Sequence, residues 1–251
     1  MLLVLISLLP AKAPGMWFGG TFIGAVVVDD GIVIGSDSRS TFIDSAGKQY
    51  GYIDGTTKMF VQHGAAFAVS GLSSVSGELM STFIARNDYL LERPVTEILF
   101  GVMLGLPFKN STKVVLISAG FENGQPTICA KTPNDPQLCR NSGFITNRMA
   151  PGLSRWQNAA RGVTPKAADA AAALHVAIVE SSDTDPTVGG PISILHLRKS
   201  GSPEWLENPP QDPGWKNVCD IVSDYRKGKA RILFINSKDE LDRNLNASCP
   251  K

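Results

Sequence analysis

The chain has 251 residues, 43% of them hydrophobic and 19% charged, a balance that suits a folded core and excludes a disordered polymer. That length fits one large domain or two small ones. With a formal net charge of +1 and no long basic run, the chain has no electrostatic footprint for nucleic acid.

Met1 to Leu9 are apolar except for Ser7, too short a run to span a bilayer, so no stable membrane anchor is expected. The run has the length of a signal-peptide core, and Ala11-Lys12-Ala13 has the small-x-small shape of a cleavage site. No Lys or Arg precedes it, and Pro14 is a poor residue after a cut. A signal peptide, a short propeptide and a misplaced start all remain open, and with them cytoplasmic or exported placement.

The next stretch, Gly19 to Arg39, reads as a β-hairpin. An apolar, β-branched strand runs to Val28, Asp29-Asp30-Gly31 makes the turn, and a second apolar strand delivers Asp37 and Arg39 at its end. Within it, Gly20-Thr21 carries a chemical option. A cut at this bond would put a hydroxyl and a free α-amine on one residue. An α-amine titrates near pH ~8, so part of it is unprotonated at neutral pH and able to take the hydroxyl proton. Otherwise Thr21 is an ordinary strand residue.

Lys58 to Gly71 reads as two short strands about the His63-Gly64 turn. A helix is expected from an N-cap at Ser73 or Ser74 to about Leu91, with Leu79, Phe83 and Ile84 at helical spacing. Pro94 interrupts, and a second helix runs from Val95 to Leu104. Lys113 to Ser118 is a strand, Asn123-Gly124 a hairpin turn, and Pro126 to Ala130 the return. Phe144 to Ile145 to Thr146 is a further short strand. Thr164-Pro165 reads as the cap and first position of an alanine-rich helix to about Ser181, and Pro191 to Leu197 as an alternating strand. The prolines between Gly201 and Gly214 mark a linker, followed by a helix over Asn217 to Tyr225 and a strand over Ala230 to Ile235. That tail is free to pack on its own domain or on a neighbour. His63, His175 and His196 read as structural or surface residues.

Four cysteines with no C-x-x-C pair give no zinc pattern. Cys129 and Cys139 bracket a loop that a disulfide would close in an oxidising compartment, and free buried thiols are the alternative. Two glycosylation-like sequons, Asn110-Ser111-Thr112 and Asn246-Ala247-Ser248, are short enough to arise by chance. Neither a P-loop, a dinucleotide fingerprint nor a G-x-S-x-G elbow occurs, so no cofactor is implied and elbow-type serine chemistry has no support.

Five pieces in order, Gly20-Thr21, Asp37-Ser38-Arg39, Lys58-Met59-Phe60, Ser70-Gly71 and Asp185-Pro186-Thr187-Val188-Gly189-Gly190, resemble the proteasome β-subunit family of N-terminal nucleophile (Ntn) hydrolases over roughly Gly20 to Leu197. The resemblance implies an α+β fold, a four-layer αββα sandwich of two antiparallel sheets between helix layers. It implies a threonine-type peptidase, self-cleaved at Gly20-Thr21, acting on peptide or unfolded protein and assembled as a homo-oligomeric ring. Catalytic roles then fall on Thr21 as nucleophile with its α-amine as base, on Lys58 to lower the pKa of both, on Asp37 to orient Lys58, on Gly71 as an oxyanion N–H donor, and on Asp185. Arg39 joins the polar cluster as a structural ion pair.

The domain reading that goes with it is residues 1–20 removed on maturation, 21–199 the Ntn hydrolase domain, and 200–251 a Pro-rich linker and C-terminal extension. Two departures mark a divergent member. Val188 stands where the family has a serine that helps hold the amine. Asn141 to Pro151 lacks the family's second serine, for which Thr146 and Asn147 are the candidate substitutes. A non-catalytic ring subunit and a solitary Ntn amidase are the alternative functions.

Overall fold

The computed structural model describes residues 17–19, 21–43, 48–75, 77–105, 114–211 and 213–250. The export-like segment 1–13, Gly20 and the sequon at Asn110 lie outside the described residues.

In chain order the strands β1 (Trp17–Gly19), β2 (Ile23–Val28), β3 (Gly31–Ser36), β4 (Ser40–Ile43), β5 (Gln49–Ile53), β6 (Met59–Gln62), β7 (Ala65–Ser70), β8 (Ser74–Val75) and β9 (Glu78–Leu79) come first. Helices α1 (Met80–Arg86) and α2 (Val95–Gly105) follow, then β10 (Val115–Glu122), β11 (Gln125–Lys131), β12 (Leu138–Arg140) and β13 (Phe144–Thr146). The chain continues through α3 (Pro151–Ala159), α4 (Ala167–Thr184), β14 (Ser193–Arg198), β15 (Glu204–Glu207), α5 (Val218–Arg226), β16 (Leu233–Phe234) and α6 (Lys238–Ser248).

Two five-stranded antiparallel sheets stack face to face, one ordered β13-β2-β3-β14-β15 and the other β12-β11-β10-β7-β6. The β2–β3 hairpin explains why its sequence is apolar without alternation. Ile23, Ala25 and Val27 face the opposing sheet, where they meet Ala66, Ala68 and Ile117. Phe22, Val26 and Val28 face the other way, onto Leu153, Leu174 and Ile178 of α3 and α4. A strand covered on both faces has no position for a polar residue. On the far side, α1 and α2 cover the second sheet through Phe67, Val69, Ile98 and Leu99. The layers are therefore helix, sheet, sheet, helix, the αββα sandwich.

Glycines set the closest helix contact. Gly24 and Gly35 pair across β2 and β3. A Cβ at Gly24 would lie 2.9 Å from Leu174 Cδ2, and one at Gly35 would lie 3.4 Å from Leu174 Cδ1. The missing side chains form the groove that Leu174 fills.

A third sheet, ordered β1-β4-β5-β16, stands outside the sandwich. The tail packs on this sheet: Phe42, Tyr50 and Ile53 bury against Val218, Ile221 and Val222 of α5 and Leu241 and Leu245 of α6. Asn217 caps α5 with a reciprocal capping box to Asp220, and Cys219–Cys249 ties the two helices together. Cys129–Cys139 links directly paired residues of β11 and β12, so all four cysteines are bonded.

Several expected boundaries differ. Ser73 and Ser74 do not cap a helix; β8 and β9 come first and α1 starts at Met80, because Ser73 is drawn inward to accept a hydrogen bond from Ser40 Oγ at 2.9 Å. Thr164-Pro165 lies ahead of α4, which starts after Lys166, since the Pro165 carbonyl is taken by the Asp29 N–H at the β2–β3 turn. The proline-rich stretch contains β15, which pairs with β14 and widens the first sheet. Helices α3 and α6 were not expected at all.

Candidate active site

The residues singled out by sequence converge where β2 begins and β3 ends. Strand register does the placing: Ile23 pairs with Ser36, so Phe22 lies beside Asp37, and the Phe22 N–H donates to Asp37 Oδ1 at 2.9 Å. Asp37 Oδ2 accepts from the N–H groups of Gly189 at 2.9 Å and Arg39 at 3.2 Å. Lys58 enters from the start of β6. Its Nζ donates to Thr21 Oγ1 and to the Arg39 carbonyl, and lies 3.6 Å from Asp37 Oδ1, an ion-pair distance too long for a hydrogen bond. All three side chains are buried: Thr21 is 1% exposed, Asp37 1% and Lys58 2%.

Burial dominates the electrostatics of this trio. Desolvation of the cation lowers the Lys58 pKa to about 8 even though Asp37 pulls it upward. Desolvation raises that of Asp37, against the attraction of Lys58 and three backbone N–H donors. The result is a lysine able to exist neutral near physiological pH while in contact with a hydroxyl.

Thr21 is held from its other side by its own carbonyl, which accepts from Asn147 Nδ2 at 2.8 Å, Ser70 Oγ at 3.2 Å and Arg148 Nε at 3.2 Å. Asn147 also donates to Ser70 Oγ at 2.8 Å, and its Oδ1 accepts from the Ile23 N–H at 2.9 Å. Of the two candidate substitutes, then, Asn147 reaches Thr21 directly. Thr146 instead bonds the Ile23 and Arg148 carbonyls. Gly71 follows Ser70 with φ +80°, a conformation that disfavours any side chain there.

Asp185 caps the late turn: its Oδ1 accepts from the Thr187 N–H at 2.8 Å and the Thr187 hydroxyl at 2.5 Å, while Oδ2 takes Arg148 Nη1. Partial burial would raise its pKa, but the Thr187 and Arg148 bonds outweigh it and hold the carboxyl below its ordinary value. Val188 is fully buried in the α3–α4 core, and its side chain offers no polar atom. Arg39 turns its guanidinium away from Lys58 onto Asp54, in two bonds of 2.7 and 3.0 Å, and over the Tyr52 ring at 3.9 Å. The ion pair expected of Arg39 is thus made with Asp54.

Arg148 is the residue that sequence reasoning missed. It belongs to no periodic element and lies outside every motif of the resemblance, so only the fold brings it to Thr21.

Among solved structures, the chain is similar to the Anbu (Gly-1) mutant from Hyphomicrobium sp. strain MC1, with a TM-score of 0.54 and 13% sequence identity, over 83% of this chain and 97% of that one. The likeness shows the fold alone, the αββα sandwich described above. No protein-family model matches the chain, and no curated protein matches it.

Proposed function

We propose that this protein is a threonine-type peptidase that matures by cutting its own Gly20-Thr21 bond. The observation that carries the reading is the buried contact of Lys58 Nζ with Thr21 Oγ1, backed by Asp37. In the uncut chain Thr21 has a peptide nitrogen rather than an amine, so Lys58 is the base in contact with the hydroxyl. As Lys58 takes the proton, Oγ1 bonds to the Gly20 carbonyl carbon and the carbon–nitrogen bond to Thr21 breaks. The leaving nitrogen takes the proton back, leaving an ester. Water hydrolyses that ester to give a Gly20 carboxylate and a free Thr21 amine. The Gly71 N–H is our candidate donor to the oxyanion formed on the way. Once free, the amine shares the base role on incoming peptides.

Strand β1 indicates how a peptide would lie. It precedes the cut and pairs antiparallel with β4, Gly19 opposite Thr41. Its departure would leave the β4 edge open for an extended substrate to add as a strand. We assign residues 1–20 to the removed segment, 21–199 to the hydrolase domain, and 200–251 to an extension that braces the third sheet. Assembly into a ring, which would enclose such sites, and passage through an oxidising compartment, which would suit two disulfides, complete the proposal.

A second reading, a ring subunit without activity, is favoured by the buried Val188 in place of a serine. Intact-mass measurement separates the two. A mature chain starting at Thr21, with Thr21→Ala left uncut, supports the peptidase. A wild-type chain with the bond before Thr21 intact and no peptide hydrolysis supports the inactive subunit.

A further inference from the structure

With Val188 apolar, Asp185 has lost the serine that the resemblance places beside it, yet it still communicates with Thr21, through Arg148. One guanidinium spans both, Nε on the Thr21 carbonyl at 3.2 Å and Nη1 on Asp185 Oδ2. The Arg148 and Asp185 side chains are 31% and 30% exposed, so the pair is largely shielded from water, and Asp185 is itself fixed by Thr187. The planar fork of arginine suits a bridge between two oxygen acceptors, which the single point charge of a lysine cannot reproduce.

We propose that Arg148 is a positioning residue that replaces the missing serine, tying the backbone of the nucleophile Thr21 to Asp185. This rests on the threonine-peptidase reading. A second effect follows from its charge. Facing Lys58 are Asp37 at 3.6 Å, the Arg39 carbonyl, the Thr21 hydroxyl, the more distant Asp54, and Arg148. Arg148 is the cation in that set whose charge pushes the Lys58 proton off, opposing the two carboxylates.

Two readouts test this separately from the nucleophile assignment. The first follows Lys58 by NMR titration in full-length Thr21→Ala protein, which keeps the carbonyl at position 21. Arg148→Gln is expected to raise the Lys58 midpoint by about half a pH unit or more, and Arg148→Lys to leave it near its starting value. The second measures peptide hydrolysis by protein whose Thr21 has been exposed by removing an N-terminal tag. There Arg148→Gln should lower kcat about 10-fold or more with KM changed by less than about 3-fold, with Arg148→Lys intermediate. Adding Val188→Ser to Arg148→Gln should recover part of the loss. Should Arg148→Gln fail to fold, Arg148→Lys carries the kcat comparison. An unchanged Lys58 titration together with an unchanged kcat in Arg148→Gln would reduce Arg148 to a structural ion pair. If the wild type hydrolyses nothing while the Lys58 midpoint still moves, the peptidase reading falls and the electrostatic role of Arg148 stands.

Discussion

Lys58 Nζ donates to Thr21 Oγ1 across 37 positions of sequence, and both side chains are closed off from water. A lysine can accept the hydroxyl proton only when neutral. Burial brings its pKa to about 8, so roughly a tenth of it is neutral at pH 7. Self-cleavage and peptide hydrolysis are therefore expected to rise with pH through about 8 and level off above it. Initial rates between about pH 6 and 10 check this, and a flat profile would remove Lys58 as the acceptor. The same shift affects stability. The unfolded chain keeps this proton to about pH 10.4 but the folded chain only to about 8, so the lysine's contribution to stability grows as pH rises through that window.

The Thr21, Asp37 and Lys58 cluster was legible because its members flank strand ends. Two continuous apolar runs, β2 and β3, joined by a two-residue turn, fix which strand ends meet, and so Asp37 lies near Thr21 once the hairpin is read. The four layers followed from the order of strands and helices. What sequence did not carry was contact made between loops. Arg148 reaches Thr21 from a segment with no periodicity, and Ser73 looked like a helix cap because nothing local reveals that Ser40 claims it. The tail was ambiguous for the same reason: a helix and a strand could be read in it, but its partner, the third sheet, could not.

In the proposed mechanism Asp37 acts on the Thr21 hydroxyl through Lys58, so the two should not behave independently. Lys58→Ala is expected to cost most of the activity, about 100-fold or more, and Asp37→Asn a smaller but large share. The double variant should be little worse than Lys58→Ala alone. A double-mutant cycle on the rate of self-cleavage measures this, and simple additivity would mean that Asp37 reaches the nucleophile by another route.

The late Gly-Gly pair is a test of how the site is framed. Gly189 has φ +151°, and a Cβ there would fall 2.7 Å from Arg39 Cζ; at Gly190, with φ +75°, it would fall 2.7 Å from Ser38 Oγ and 2.9 Å from Asp54 Cβ. Either alanine therefore strains the backbone and pushes on the Arg39–Asp54 pair, while Gly189 also has to keep its N–H on Asp37. Gly189→Ala and Gly190→Ala are each expected to destabilise the fold by about 1–3 kcal/mol, with Gly189→Ala losing the more activity. Urea unfolding and hydrolysis rates, measured side by side, check the ranking.

The remaining prediction concerns the C-terminal extension. The Cys219–Cys249 bond closes a loop of sequence separation 30, for which chain entropy gives a stabilisation of about 3–4 kcal/mol. Its effect should not spread evenly. Helices α5 and α6 bury Phe42 and Tyr50 on the sheet in which β4 pairs with β1, the strand before Thr21. Loosening the helices should therefore be felt first in β4 and β5 and much less in the β2–β3 hairpin, which has α4 on one side and the opposing sheet on the other. Cys219→Ser with Cys249→Ser is expected to lower overall stability by up to about 4 kcal/mol and to speed amide exchange in β4 and β5 ahead of β2 and β3. Self-cleavage should slow as well, because the segment to be cut is aligned on β4. Hydrogen exchange read segment by segment decides it: equal acceleration in all strands would show that the extension supports the whole fold rather than the edge beside the nucleophile.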